Sequence, residues 1–154
     1  MIGKVKKWLG IEGVKLELEL PEEVKKKDGV VYGKLRFQSL NLQTVTGIKV
    51  VLIERYSRGR GKEKLIDEYE LGRRHMDIQF EVPPEEVVEV DFSLPFEMIK
   101  SEVDEFGDRN FVFKGIANAA RLIRSAKSDY RIEAEASVKG VALNPFDKAA
   151  LNLT

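Results

Sequence analysis

Residues Gly29 to Tyr56 read GVVYGKLRFQSLNLQTVTGIKVVLIERY, and the alternation inside this stretch decides the fold. From Val31, the positions Val31, Gly33, Leu35 and Phe37 share one face, while Tyr32, Lys34, Arg36 and Gln38 share the other. A period of two with one apolar face is the pattern of a half-buried strand. Ile48 to Ile53 is apolar on both faces, which predicts a central strand with neighbours on each side. Between the two segments lies a polar link containing Asn41, Gln43, Thr44 and Thr46.

The same alternation recurs on either side. Upstream, Val14, Leu16, Leu18 and Leu20 alternate with Lys15, Glu17 and Glu19 until Pro21 ends the hydrogen-bond ladder. A charged turn from Glu22 ends in Asp28-Gly29, a hairpin dipeptide. Downstream, SRGRGKEK at 57–64 reads as a hairpin tip, and Leu65 to Leu71 as the returning strand. Arg73, Arg74 and His75 then read as a turn, Met76 to Val82 as a short strand and Val88 to Pro95 as the next. Ser101 to Asn110 is acidic and loop-like. From Gly115 to Lys127 the period changes: Ile116, Ala119, Ala120, Ile123 and Ala126 follow helical spacing, which predicts one short helix. Tyr130 to Val138 alternates without a break, and Lys148 to Thr154 reads as a last strand. Residues 1–10, MIGKVKKWLG, form an amphipathic segment with a helical turn. Ile2, Val5, Trp8 and Leu9 lie on one side of it and Lys4 and Lys7 on another. Short strands at regular spacing with charged outer positions predict an all-β fold, an antiparallel two-sheet β-sandwich over 11–154.

Composition narrows the chemistry. The 26 basic and 26 acidic residues cancel, so global charge does not steer the chain to nucleic acid. The absence of cysteine removes disulfides, thiolate metal sites and cysteine nucleophiles, and suits a reducing, cytoplasmic setting. His75 is the sole histidine and sits among basic residues, a poor metal ligand. Asp104, Glu105 and Asp108 lack the spacing of a calcium loop. Gly59 and Gly61 lack the Gly-Lys-Ser/Thr end of a phosphate loop. No metal, cofactor or catalytic set is therefore expected. The candidate contact residues are Trp8, Lys4 and Lys7 in the first segment and Arg58, Arg60 and Lys62 in the basic hairpin tip.

The order of segments resembles one arrestin-type sandwich, and within that group the sporulation-control protein M family of bacteria and archaea. The resemblance rests on a basic segment leading into GVKLELEL, and on GVVYGKLRFQS followed by a link and GIKVVLIERY. It rests also on VDFSLPF and on SDYRIEAEASVKGVALNPFD. It implies an arrestin/immunoglobulin-like sandwich and a non-catalytic scaffold or adaptor that binds another protein. Complete arrestins have two such sandwiches, so this pattern fits a minimal or truncated member. The alternative expectation is a peripheral module that meets a membrane or anionic-lipid surface through residues 1–10. Homo-oligomers through exposed edge strands are a further expectation, and nucleic acid is not expected as a partner.

Overall fold

The computed structural model describes residues 13–59, 65–98 and 127–154. Eight strands run through them: β1 (Val14–Glu19), β2 (Val30–Ser39), β3 (Gln43–Arg58), β4 (Leu65–Met76), β5 (Phe80–Val82), β6 (Val88–Pro95), β7 (Lys127–Val138) and β8 (Phe146–Leu151). They form two antiparallel sheets. One has the order β1-β2-β6. The other has the order β4-β3-β7-β8, with β5 added beside the start of β3.

The inner faces are those the alternation picked. Leu18, Leu35, Phe37, Leu52, Phe92 and Ile132 are all buried between the sheets. β3 is central: β4 runs along one side from Ile48 to Arg58, and β7 along the other from Val45 to Ser57. Its even-numbered residues from Ile48 to Leu52 point into the core, and Val51 and Ile53 point outward. The Phe37 ring meets Phe80 edge-on at 5.2 Å, so β5 closes one end of the core.

Two glycines are set by close approach. At Gly33 an added Cβ would lie 2.5 Å from the Phe92 ring, which fills the gap that a side chain would occupy on the partner strand. At Gly72 it would lie 2.2 Å from the Pro95 carbonyl oxygen, where the chain leaving β6 crosses β4.

Several boundaries differ from the sequence reading. Gln43, Thr44 and Thr46 belong to β3, so the polar link shrinks to Leu40–Leu42. Gln43, Thr44 and Thr46 are polar because they lie at the solvated end of the strand. Arg73, Arg74 and His75 lie within β4, opposite Val51, Val50 and Lys49. Gly72, just before them, answers the Pro95 contact, and a register shift against β3 between Leu52 and Ile53 accommodates it. The expected strand from Met76 reduces to Phe80–Val82, and the last strand begins at Phe146. The turn before β2 is a 3-10 turn at Lys26–Asp28. The expected helix lies outside the described residues except for Lys127, which opens β7. The helical turn in residues 1–10 also lies outside them.

Candidate functional site

The outer face of the five-stranded sheet is the most structured surface among the described residues. β3 contributes Lys49, Val51, Ile53 and Arg55, flanked by β4 and β7. Glu133 faces Val51 from one side and Arg73 from the other, while Glu70 and Arg131 flank Ile53. Two aliphatic residues thus lie at the bottom of a trough walled by charges. The trough encloses about 320 Å³, and the half-exposed Phe146 ring of β8 stands at its margin.

The walls are knitted by ion pairs. Lys49 meets Glu135, its direct cross-strand partner, at 3.6 Å. Arg73 donates to Glu70 at 2.8 Å. Arg131 donates to Glu133 on its own strand at 2.7 Å and to Glu68 of β4 at 2.6 Å. Because β3 separates those strands, the Arg131 side chain forms a strap across it, between Ile53 and Arg55. The strap divides the trough from a second recess lined by Arg55, Asp129 and Lys148. Its hydrogen bond from Arg131 holds the Glu68 carboxyl below the usual carboxylate range, and the bonds to Glu68 and then Glu133 push the Arg131 guanidinium up. The pairs are largely solvated, so each contributes about 0–1 kcal/mol to stability, and their main effect is to hold the walls in place.

The small sheet has a simpler outer face. Arg36 sits among Glu19 at 2.8 Å, Glu89 at 3.1 Å and Glu17 at 3.7 Å. The Arg36 hydrogen bond lowers the Glu89 carboxyl. This cluster has charges but no apolar floor.

At the hairpin end of β3 the inner face carries two buried polar groups, Glu54 and Tyr56. Ser128 donates to Glu54 Oε2 at 2.6 Å, while Glu54 Oε1 and the Tyr56 hydroxyl have no partner among the described residues.

Of the contact residues expected from sequence, only Arg58 lies among the described residues. It ends β3, half-buried and opposite Leu65. Lys4, Lys7, Trp8, Arg60 and Lys62 lie outside them. Arg73 and Arg74 sit opposite Val51 and Val50, well down the sheet from Arg58, so these arginines form separate patches. Arg74 is committed to the other sheet, donating to the Ser93 carbonyl at 3.2 Å and its hydroxyl at 3.1 Å. The trough itself had a sequence signal, the apolar run Val50–Ile53 on both faces of β3. What that run could not reveal was which charges would be drawn around it from β4 and β7.

No protein-family model matches the chain, and no curated protein matches it in sequence. Among solved structures it is similar to Spo0M, sporulation control protein, from Bacillus subtilis. The TM-score is 0.62 at 13% identity, over 93% of this chain and 50% of that one. The fold is the arrestin-like sandwich. The chain spans half the length of Spo0M. Within the arrestin-like sandwich described here, the trough lies on the outer face of the larger sheet. No helix among the described residues is long and apolar enough to cross a membrane.

Proposed function

We propose that the chain is a non-catalytic adaptor that binds another protein, with the trough over Val51 and Ile53 as its grip. The carrying observation is the apolar floor set among ordered charges of both signs. Such a surface suits an extended segment with one or two aliphatic side chains flanked by polar residues of either charge. The buried floor supplies the affinity and the charged rim the register. Face docking is favoured over strand addition because both flanks of the sandwich are already engaged. Asp147 of β8 accepts a hydrogen bond from the Leu18 amide of β1 at 2.8 Å, and the Glu97 amide reaches the Leu71 carbonyl of β4 at 3.0 Å. A chain without cysteine fits a cytoplasmic adaptor. The separated arginine patches favour a protein partner over nucleic acid.

The test is site-specific photo-crosslinking in source-cell extract. A benzophenone amino acid replaces Phe146 at the trough margin or, as control, Tyr32 on the outer face of the small sheet. The proposal expects a discrete adduct at 146, absent at 32 and lost when Ile53→Glu is added. The captured protein, purified, should bind directly with the same dependence on Ile53. Equal adducts at both positions, or an adduct at 146 indifferent to Ile53→Glu, would overturn it.

A further inference from the structure

On the outer face of the large sheet, one arginine takes two acids away from their neighbours. Opposite charges directly across a ladder ordinarily pair, as Lys49 and Glu135 do. Glu68 stands directly across from Arg55, and Glu133 directly across from Lys148. Both carboxylates bond to Arg131 instead, Glu68 at 2.6 Å and Glu133 at 2.7 Å. Arg55 and Lys148, both exposed, are left without an ion pair among the described residues. Asp129, the other neighbour of Arg55, lies 3.8 Å from Lys127. Arg131 uses Nε and Nη1 on its two acids, and its Nη2 makes no hydrogen bond among the described residues.

These three cations border the second recess, which encloses about 500 Å³ beside the trough. Ala150 faces Arg131 across the β7–β8 ladder, and its single methyl leaves the space above it open. A carboxylate entering here meets two cations that no acid has claimed, together with the remaining donors of Arg131. An entering ammonium would find Glu68 and Glu133 already bonded, and Asp129 beside Lys127. A small free anion would gain only exposed charge pairs, which are individually weak. A segment that also fills the trough adds its apolar contact to them, because Arg131 is the wall that trough and recess share. From Ile53 the recess lies one to two strand spacings away toward β8, each about 4.8 Å. An extended segment crossing the strands presents every second side chain to the sheet, about 7 Å apart. We infer that the adaptor's partner carries an acidic residue two positions from its aliphatic anchor, with the carboxylate seated among Arg55, Arg131 and Lys148. The inference rests on the trough as the seat of that anchor.

The test titrates the full, nitrogen-15-labelled chain with three short peptides followed by NMR. Each has leucine, serine and then glutamate, glutamine or lysine in a frame of serine and glycine. The expected result is that all three shift the amides of Val51 and Ile53, and that the glutamate peptide alone also shifts Ala150 and the Arg131 Nε–H. The glutamate peptide should bind roughly fivefold tighter than the glutamine peptide, from two or three exposed charge pairs, and the lysine peptide weakest. That preference should shrink as salt is raised from about 0.05 to about 0.5 M. In a protein carrying Arg55→Gln and Lys148→Gln, with its fold checked by circular dichroism, the ratio of glutamate to glutamine affinities should fall to about one. Equal affinities for the glutamate and glutamine peptides in the parent, or a preference that survives the double substitution, would overturn the inference. Either result, with Val51 and Ile53 still shifting, would leave the trough standing. Peptides that leave Val51 and Ile53 unmoved at millimolar concentration would count against the trough itself, and the inference would fall with it.

Discussion

Replacing Gly72 with alanine tests how the two sheets are locked along one flank. The new Cβ would lie 2.2 Å from the Pro95 carbonyl oxygen and 3.1 Å from the Phe96 Cα and Cβ. An ordinary carbon–oxygen contact needs about 1 Å more. The obstacle is backbone, so no rotamer change relieves it. The segment that must retreat is pinned by Phe96 N donating to Gly29 O at 2.9 Å and by Glu97 N donating to Leu71 O at 3.0 Å. Retreat loses at least one of those bonds, at about 1 kcal/mol net. It also strains a packed core that holds the buried Phe96 ring, at about 1–3 kcal/mol. The sum is a destabilisation of about 2–4 kcal/mol. Equilibrium urea unfolding followed by circular dichroism should show the midpoint falling by about 1–2 M at an unchanged slope near 2 kcal/mol/M. Gly47→Ala is the control, because its Cβ would meet nothing nearer than the Met76 carbonyl oxygen at 3.7 Å. It should stay within about 1 kcal/mol of the parent, on the stabilised side if anything. A Gly72→Ala protein that unfolds with the parent, or a Gly47→Ala protein equally weakened, would refute this account of the flank.

Four other substitutions or conditions check separate parts of the structure. Leu35→Ala, at a fully buried site, should cost about 2–5 kcal/mol in the same unfolding assay. Ser39→Ala should cost about 1–2 kcal/mol, because the Gly13 carbonyl and Asn41 amide both lose their partner. Tyr56→Phe should stabilise by about 1 kcal/mol, since it removes a buried hydroxyl that has no partner among the described residues, and a loss of that size would refute this reading. Glu68 and Glu89 have folded-state values below those of the unfolded chain. Their contribution is therefore complete above about pH 4.3 and is lost as pH falls through the lowered folded values. Unfolding midpoints should be flat from neutrality to about pH 5 and drop below it, with Arg131→Gln and Arg36→Gln each flattening that drop.

The parts of the fold legible in the sequence were those where one local rule acted alone. β1, β2 and β7 alternate cleanly, so their faces and their burial could be read directly, and the apolar run on both faces of β3 placed it at the centre of its sheet. Misreadings arose where a residue served a distant neighbour. Arg73, Arg74 and His75 look like a turn, but they continue β4, and the Gly72 before them answers a carbonyl that arrives from β6, more than twenty residues on. Thr44 and Thr46 look like loop because strand ends are solvated as loops are. The trough was half legible: Val51 and Ile53 announced themselves, whereas Glu68 and Arg131 meet only because β3 threads between their strands. The aliphatic loop tips gave no distinguishing signal, since Leu40, Leu42 and Leu143 read equally well as core residues until their exposure is known.

β3 has one more consequence, and it is mechanical. This 16-residue strand is gripped along nearly its whole length by β4 on one side and β7 on the other. Tension applied along the strand axis must shear both ladders at once, because no pair can part before its neighbours slide. Tension applied across the strand would peel the pairs one at a time and meet far less resistance. One end of β3 begins just after the Leu40–Leu42 tips and the other reaches the hairpin. A pull between the β2–β3 loop and the β3–β4 hairpin would therefore run along the direction in which this sheet is strongest.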